Sequence, residues 1–500
     1  MKTIHILATL LTMIAALQAQ AAKPNVVVIM ADDIGLGDLS HYANLAGVEP
    51  VVETPNLDRL IAEGMSFTDA HSPASLCAPS RFSMMTGNYS YRNSRPWGVW
   101  GAEGSALIDP DFTTVARIAK AGGYHTAFFG KWGLGGSWLS KKQVDYTAEE
   151  AGPLSFGFDY AMALPQGIQS HPYAFYENRE WVKFKPDSVL ANVTHEHAGY
   201  EAPKPLGKGK KKSAKHRDYG GIGDSNWNPV LTGPMLVAKA VSYIERQSAE
   251  EPFYMYYCSQ AVHLPHTPPA ELDGVKIAGS TAGVHGDMIL ELDVQVGMIV
   301  KALKAKGLYE NTLLIFTSDN GGLSMTRGFN SSLELEGKKG SISEGGHRVP
   351  FVAVWPGKIQ AGVVSDESIV GHDTVATIAA LAEQPIDRSV VMDSTNLLPV
   401  FLGESDAPAH QYLMHQSKGG SAGPFYALRE GAWKLVIKAE NEKSLESLQP
   451  YALYNLEDNL SEDSDQNLLK NPEYRERAER MLKTYQNLRV SGAPTAVDRK

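Results

Sequence analysis

Short apolar runs alternate regularly with amphipathic stretches over the first 400 residues, and this pattern limits the folds that the chain can adopt. The first run, Asn25 to Met30, is rich in valine and continuously apolar, which is typical of a strand buried on both faces of a parallel sheet. Further strands are predicted at 125–129, 253–257, 313–316 and 349–355, and helices at 54–60, 112–121, 235–245 and 287–306. The alternation therefore predicts an α/β fold, in which a large, mostly parallel central sheet lies between helices.

The pattern changes after Gly403, where short strands are predicted at 412–415, 426–429, 433–438 and 453–456. A terminal helix is predicted at 472–488. These elements suggest a smaller C-terminal antiparallel sheet closed by one helix. We expect a large domain over 23–403 and a small α+β domain over 404–500. Between residues 135 and 231 the pattern weakens, and we predict loops and short strands that form the walls of a substrate cleft.

Residues 1–22 have the pattern of a secretory signal peptide. Lys2 precedes an apolar run, and Ala19-Gln20-Ala21 offers a cleavage site. We therefore expect an exported protein, periplasmic or extracellular. No later run is long and apolar enough for stable membrane insertion. Cys77 and Cys258 are the only cysteines, so a disulfide framework is excluded, although one bridge between them is possible.

The formal net charge of −10 argues against nucleic acid as a partner, because proteins that bind it generally carry a basic face. A local exception is the lysine-rich run from Lys204 to Arg217. A solvated loop explains this run better than a binding element does. If it binds an anionic substrate, it has to lie beside the substrate cleft, because salt screens its charge within about 8 to 10 Å.

The segment from Ser75 to Arg81 combines a cysteine, a helix start and a cation. Pro79 suits the first turn of a helix, and Gly87 is a typical residue at a helix end. Cys77 is therefore predicted at a helix N-terminus, where unpaired N–H groups favour an anion such as a thiolate, sulfate or phosphate. Arg81, one turn further on, can point its guanidinium group at the same anion.

Oxygen-bearing side chains follow two of the predicted strands. Asp32 and Asp33 come directly after the first strand, and Asp319 and Asn320 follow the strand at 313–316. The carboxyl ends of strands are where α/β folds place ligand sites. Oxygen ligands suit Ca²⁺ or Mg²⁺ and suit zinc poorly. The sequence therefore indicates a site for a hard divalent cation.

Taken together, these segments resemble the type I sulfatases of the alkaline phosphatase-like superfamily. The string Cys77-x-Pro79-Ser80-Arg81 is similar to the sulfatase signature, and the acidic strings are similar to its calcium set. The resemblance covers nearly the whole chain after residue 22. Its other matching elements are Gly130-Lys131-Trp132, His263-x-Pro265, Lys339-Gly340-Ser341-x-x-Glu344-Gly345-Gly346 and Ala427-Leu428-Arg429-x-Gly431-x-Trp433-Lys434-Leu435.

The resemblance implies an alkaline phosphatase-like sandwich fold and hydrolysis of sulfate esters. It implies that a maturation enzyme oxidises Cys77 to formylglycine, whose hydrate attacks the sulfate. Arg81 would orient this hydrate, Lys131 and Lys339 would hold sulfate oxygens, and His263 with Lys339 would protonate the departing alcohol. The metal ligands would be Asp32, Asp33, Asp319, Asn320 and the residue made from Cys77, with Ca²⁺ favoured over Mg²⁺.

One position departs from the family pattern. Many sulfatases have a histidine two residues after the first lysine, and this chain has Gly133 there. We hypothesise that His171 moves into the site and acts on the substrate or the hydrate; a loop histidine hydrogen-bonded to backbone is an equally good interpretation.

Three other functions stay open. The string Gly419-x-Ser421-x-Gly423 matches an esterase nucleophile elbow, but a strand rather than a helix is predicted after it. A phosphodiester or phosphonate monoester hydrolase of the same fold would use the same cysteine motif. A non-catalytic binder of sulfated glycans would keep only the scaffold. For a sulfatase, the cleft walls suggest a sulfated saccharide substrate, with exo or endo desulfation undecided.

Overall fold

The computed structural model describes residues 23–93, 106–109, 112–136, 138–140, 143–144, 152–201, 218–323, 329–405, 407–417, 424–441, 444–492 and 494–496. The predicted signal segment 1–22, the basic run from Lys204 to Arg217 and the string from Gly419 to Gly423 lie outside these residues.

The α-helices of the described residues alternate with strands through most of the chain. They are α1 (Ser40–Leu45), α2 (Pro55–Ala62), α3 (Cys77–Thr86), α4 (Val115–Ala121), α5 (Thr232–Glu245), α6 (Val284–Ala305), α7 (Thr374–Leu381), α8 (Leu398–Phe401) and α9 (Arg475–Ser491).

The strands of the first 400 residues form one large sheet and several two-stranded pairs. They are β1 (Asn25–Ala31), β2 (Met65–Phe67), β3 (Ala70–His71), β4 (His125–Lys131), β5 (Trp138–Ser140), β6 (Gln143–Val144), β7 (Tyr160–Leu164), β8 (Phe175–Glu177), β9 (Glu180–Val182), β10 (Leu190–Val193), β11 (Gly221–Asp224), β12 (Phe253–Cys258), β13 (Glu271–Leu272), β14 (Val275–Lys276), β15 (Thr312–Ser318), β16 (Phe351–Val354), β17 (Val363–Ser365) and β18 (Ile369–Val370).

The central sheet has the strand order β17-β2-β16-β15-β1-β12-β4-β7-β8-β9. Its middle strands, β15, β1, β12, β4 and β7, are all parallel to their neighbours within this group. Antiparallel strands lie on both sides of it, at β16 and at β8. The mostly parallel sheet that the sequence predicts is therefore confirmed.

Helices cover the central sheet on both faces, and β1 explains why. Alternate side chains of a strand point to opposite faces, so Val27 and Ile29 join one apolar core and Val26 and Val28 join the other. The first core includes residues of α2, α5 and α6. The second includes residues of α3, α4 and α7. A strand that is apolar on both faces thus fixes the three-layer sandwich.

One predicted helix start is wrong. The helix predicted from residue 112 begins at Val115, because the Thr114 side chain accepts a hydrogen bond from Arg117 N and caps it there. The short strands predicted within residues 135–231 are present, and three of them join the central sheet, where β7 extends its parallel part and β8 and β9 continue it. Short aromatic strands of this kind give a weak periodic signal, so the pattern did not fix their individual positions.

The C-terminal elements form the predicted four-stranded antiparallel sheet. It pairs β19 (Leu413–Gln416), β20 (Phe425–Glu430), β21 (Trp433–Ala439) and β22 (Leu448–Asn455) in sequence order, and α9 follows. The last strand is longer than the segment 453–456 that the sequence predicts. The domain boundary at residue 403 stays a prediction. None of the helices in the described residues is long and apolar enough to cross a membrane.

Candidate active site

Two neighbouring parallel strands deliver the predicted metal ligands to one edge of the sheet. β1 and β15 pair in register up to Ala31 and Ser318, so the residues after them meet. The backbone N–H of Asp33 donates to Asp319 Oδ1 at 3.2 Å, and Asn320 Nδ2 donates to Asp33 Oδ1 at 2.8 Å. Asp33 has a φ of 72°, a left-handed conformation that is uncommon for a residue other than glycine. Such strain is frequent where a loop positions functional groups.

The donor set fits a hard cation. Asp33 Oδ2 and Asn320 Oδ1 are buried and have no hydrogen-bond partner in the described part of the chain. Buried oxygens without partners are costly unless a cation or water satisfies them. Ligand atoms of Asp32, Asp33, Cys77 and His263 also lie within 4.8 Å of one another. The site can therefore hold a divalent cation through oxygen ligands.

Cys77 is the first residue of α3, as the sequence predicts, and the helix ends at Gly87, which has a φ of 69°. The Sγ atom of Cys77 lies 3.9 Å from Asp32 Oδ1. Burial raises the pKa of this thiol to about 11, and attraction to Lys131 and Lys339 offsets only part of that effect. Burial of Cys77 therefore favours the protonated thiol over a thiolate. Both cysteines are free, so the possible bridge between them is not formed.

Arg81 is fully buried beneath the site. Its Nε and Nη2 atoms donate to Asp319 Oδ2 at 3.0 and 2.7 Å, and its Nη1 donates to the backbone oxygen of Lys131 at 2.8 Å. The planar guanidinium group therefore joins a metal-ligand loop to the end of β4. Arg81 holds these two parts of the site in a fixed relation.

Two lysines bring positive charge to the carboxylates. Lys131 Nζ lies 2.7 Å from Asp32 Oδ2, and Lys339 Nζ lies 2.5 Å from Asp33 Oδ1. Burial alone would lower the pKa of each lysine, but the nearby carboxylates and Cys77 together outweigh this effect and the pKa of each is raised. Burial would raise the pKa of Asp32 and Asp33, but the lysines and His263 lower it. All four groups are therefore charged at neutral pH.

His263 lies on the loop after β12. Its Nδ1 atom is 2.7 Å from the Leu264 carbonyl oxygen, which only accepts, so Nδ1 carries a proton and donates. Its Nε2 atom lies 3.7 Å from Asp33 Oδ2 and faces the metal-ligand residues. Burial, followed by repulsion from Lys339, lowers the pKa of His263. The imidazole is thus oriented to exchange a proton through Nε2.

The structure brings together most of the predicted site residues. Contacts link Asp32, Asp33, Cys77, Arg81, Lys131, His263, Asp319, Asn320 and Lys339. His171 is different, because its ring packs on Gly221 of β11, where an added Cβ would lie 2.5 Å from His171 Cγ. No hydrogen bond joins His171 to the other site residues in the described part of the chain.

The sequence did not single out Gln169. A Cβ placed on Gly167 would lie 2.5 Å from Gln169 Oε1 and 2.9 Å from Lys131 Cδ, so the amide is near the lysine side chain. Its Oε1 is buried and has no partner in the described residues. A Cβ on Gly133 would lie 3.4 Å from Arg81 Cδ, so this glycine leaves space beside the Arg81 side chain. Gln169 lies in no motif, so it could not be recognised from the sequence.

Comparisons with known proteins show the family to which the chain is similar. A sequence model of the sulfatase family matches residues 24–384. The chain is 31% identical over 444 residues to an N-acetylgalactosamine-6-O-sulfatase of Bacteroides thetaiotaomicron, covering 83% of this chain and 82% of that protein. It is 33% identical over 433 residues to human arylsulfatase A, covering 85% and 77%.

A solved structure described as concerning the metabolism of multiple glycosaminoglycans by Bacteroides thetaiotaomicron superposes with a TM-score of 0.77. It is 27% identical and covers 94% of this chain and all of that one. The chain therefore belongs to the type I sulfatase family, within the alkaline phosphatase-like superfamily. It is a sulfuric ester hydrolase.

Proposed function

We propose that this enzyme removes sulfate from a sulfated carbohydrate, using a formylglycine made from Cys77 and a bound Ca²⁺ ion. The observation that carries the proposal is the convergence of Cys77, three carboxylates and three cations at one buried edge of the sheet. A sulfate ester carries negative charge spread over its oxygens, so its hydrolysis requires cationic donors that are already in place.

Asp32, Asp33, Asp319 and Asn320 would hold the cation, together with the residue made from Cys77. The unpartnered oxygens of Asp33 and Asn320 support this assignment. When present, calcium would attract the sulfate oxygens and formylglycine would supply an oxygen nucleophile. Calcium is favoured over magnesium because an all-protein oxygen set is less suited to the smaller ion, which retains its water ligands.

The chain's own cations would bind and orient the sulfate. Lys131 and Lys339 each pair with a carboxylate that would also hold the cation, so their ammonium groups face the place where sulfate would lie. Arg81 fixes Asp319 and the end of β4 at the correct separation. Because these groups are buried and already ordered, they need little reorganisation when charge develops.

Bound sulfate, being anionic, would favour the imidazolium form of His263. This form would donate a proton from Nε2 to the ester oxygen as the bond from that oxygen to sulfur breaks. Its Nδ1–H is held by the Leu264 carbonyl, so the ring orientation is set before substrate binds. The catalytic cycle also needs a base, and Gly133 cannot supply it because glycine has no side chain. We retain His171 as the candidate that moves in for this step, with Gln169 positioned nearby to bind substrate.

Similar proteins support a carbohydrate substrate. One relative is named an N-acetylgalactosamine-6-O-sulfatase, and the solved structure with a TM-score of 0.77 concerns glycosaminoglycan metabolism. A sulfated amino sugar is therefore the first class of substrate to test. Export to the periplasm or beyond, after loss of residues 1–22, would give access to such polymers. Activation would require a formylglycine-generating enzyme.

A panel of defined sulfated mono- and oligosaccharides, assayed for free sulfate, tests the proposal. We expect turnover of at least one sulfated sugar, with little activity on phosphodiesters or phosphonate monoesters of similar size. Faster hydrolysis of those esters would favour the alternative hydrolase. Binding of sulfated sugars without any sulfate release would favour a non-catalytic glycan binder.

A further inference from the structure

A second group of buried charges lies where the C-terminal sheet meets the active-site loops. We call it the junction network; its residues are Asp69, His71, Glu344, His347, Arg429, Lys434 and Glu462. Two of them lie on C-terminal strands, Arg429 on β20 and Lys434 on β21. The mechanism above uses none of these residues.

Lys434 is the centre of one half of the network. It is 0% exposed, and its Nζ lies 2.9 Å from Glu344 Oε1 and 2.9 Å from Glu462 Oε1. The backbone N–H of Glu344 also donates to Glu462 Oε2 at 2.5 Å. A buried ammonium group between two carboxylates is costly to desolvate, and removing it would leave the carboxylates without compensation. Lys434 therefore ties the segment at Glu344 to the C-terminal sheet.

Arg429 organises the other half. It donates to both oxygens of Asp69 at 2.7 Å. The ring of His347 donates from Nε2 to the backbone oxygen of Ile342 at 3.1 Å, so its Nδ1 can accept from His71 Nδ1, 2.9 Å away. Burial lowers the pKa of His347 well below its usual value, which keeps the ring neutral and able to accept. The hydrogen bonds from His71 to His347 and from His347 to Ile342 therefore end at the backbone of the loop that contains Lys339.

That loop, residues 337–346, which we call the lysine loop, lies on one face of the C-terminal sheet. Side chains of β21 alternate, so Leu435 packs in the core beside α9 while Val436 belongs to a small apolar cluster on the opposite face, and Ile342 of the lysine loop packs against this cluster. Lys434 is two residues from Val436 and so points to this face as well. The sheet thus supports the lysine loop with both an apolar contact and an ion pair.

The lysine loop is also bonded to the metal-ligand loop and to the Cys77 segment. Lys339 N donates to Gly322 O at 2.9 Å, and Gly340 N donates to Ser75 O at 2.8 Å. Ser75 in turn donates through Oγ to Gln416 O of β19 at 3.1 Å. A displacement of the lysine loop would therefore move the Lys339 ammonium group relative to Asp33.

We propose that Lys434 is a positioning residue for Lys339, so that the C-terminal sheet is part of the catalytic apparatus rather than an accessory domain. This inference rests on the proposed function, in which Lys339 holds a sulfate oxygen. Lys434 does not touch substrate; it acts through Glu344 and the lysine loop. Placement errors of about 1 Å commonly reduce rates by roughly 100-fold.

A double-mutant cycle of Lys434→Met and Lys339→Ala tests the proposal. The assay is kcat and KM on the best substrate of the sugar panel, with the formylglycine fraction of each protein matched by mass spectrometry. We expect Lys339→Ala to lower kcat about 10²- to 10³-fold. We expect Lys434→Met to lower it roughly 100-fold with a smaller change in KM. The double variant should fall within about threefold of Lys339→Ala alone, because both changes remove the same interaction.

Leu428→Ala is the matched control. Leu428 is 0% exposed on β20 and packs in the core on the α9 side, away from the lysine loop. It should lower the unfolding temperature and leave kcat within about twofold of the parent, since residues without shared partners act independently. If Lys434→Met does not fold, Lys434→Met/Glu462→Gln replaces it, because it removes one charge of each sign.

The outcomes separate the two proposals. If the rate losses of Lys434→Met and Lys339→Ala multiply, or if Lys434→Met keeps the parental kcat, the positioning role is overturned. If Lys339→Ala keeps the parental kcat, the role of Lys339 in the proposed function fails instead. If Leu428→Ala loses as much kcat as Lys434→Met, general destabilisation explains the effect and the inference is wrong.

Discussion

Lys131→Met is the substitution that most sharply tests how the site binds sulfate. Lys131 ends β4, is 1% exposed, and lies 2.7 Å from Asp32 through its ammonium group. Methionine keeps a flexible unbranched side chain but removes the charge. The stem is closely packed, since a Cβ on Gly167 would lie 2.9 Å from Lys131 Cδ, and methionine fills the same space. The change therefore isolates the ammonium group.

Lys131→Met should lower both the free energy of unfolding and kcat. Loss of the ammonium group leaves Asp32 buried without its nearest partner, and breaking a buried pair costs about 3–5 kcal/mol of unfolding free energy. Arg81 Nη2, 3.8 Å from Asp32 Oδ2, offsets part of this cost, so we expect a value near the lower end. Loss of one preorganised donor to the reacting group lowers kcat about 10²- to 10³-fold.

The assay is steady-state kinetics on an aryl sulfate together with urea unfolding of the same protein. Lys120→Met is the control, because Lys120 is 57% exposed and its pair with Asp159 lies at the surface. Such pairs contribute about 0–1 kcal/mol, so the control should keep both kcat and stability. A Lys131→Met protein that turned over at the parental rate would refute the assignment of Lys131 to sulfate binding.

Three further predictions concern the metal, the missing base and pH. Chelation should abolish activity, and added Ca²⁺ should restore it and stabilise the protein by about 2.7 kcal/mol at 100 times Kd. Asp33→Asn should lose this stabilisation. A melting temperature that does not change with Ca²⁺ would count against the metal site. His171→Ala should lower kcat on the sugar substrate at least about 10-fold, and unchanged kcat and KM would remove His171 from the mechanism. Burial raises the pKa of Glu291 to about 8, so this carboxyl stays protonated in the folded protein while it ionises in the unfolded chain above its usual pKa. Stability should therefore fall by about 1.4 kcal/mol per pH unit from about pH 4.5 to pH 8. Glu291→Gln should remove that slope in urea unfolding at pH 5 and pH 7.5, and an identical slope in both proteins would contradict it.

Much of the fold could be predicted because its determinants are local. The apolar run of β1 indicates a strand covered on both faces, and the Pro79 to Gly87 pattern indicates a helix with defined ends. The site followed from the same logic, since residues after parallel strands meet at one edge of the sheet. Asp32 and Asn320 are therefore near each other although 288 positions separate them in the chain.

The remaining features depend on contacts between distant segments. The short strand β7 joins the central sheet only because β4 offers an unpaired edge, and its own sequence does not mark it. The high pKa of the Cys77 thiol depends on how deeply α3 is buried, which a helix-start motif does not encode. The pairing of Lys434 with Glu344 joins residues from two separate motifs, and neither motif alone indicates it.

In the proposed function, Cys77 becomes formylglycine and this residue is needed for sulfate release. The test is mass spectrometry of the peptide that contains Cys77, on enzyme made with a formylglycine-generating enzyme and on enzyme made without one. Sulfate release is measured on the same samples. We predict that the specific activity rises in proportion to the formylglycine fraction and is absent from fully unmodified protein. Full activity in protein whose Cys77 is an unmodified thiol would contradict the account.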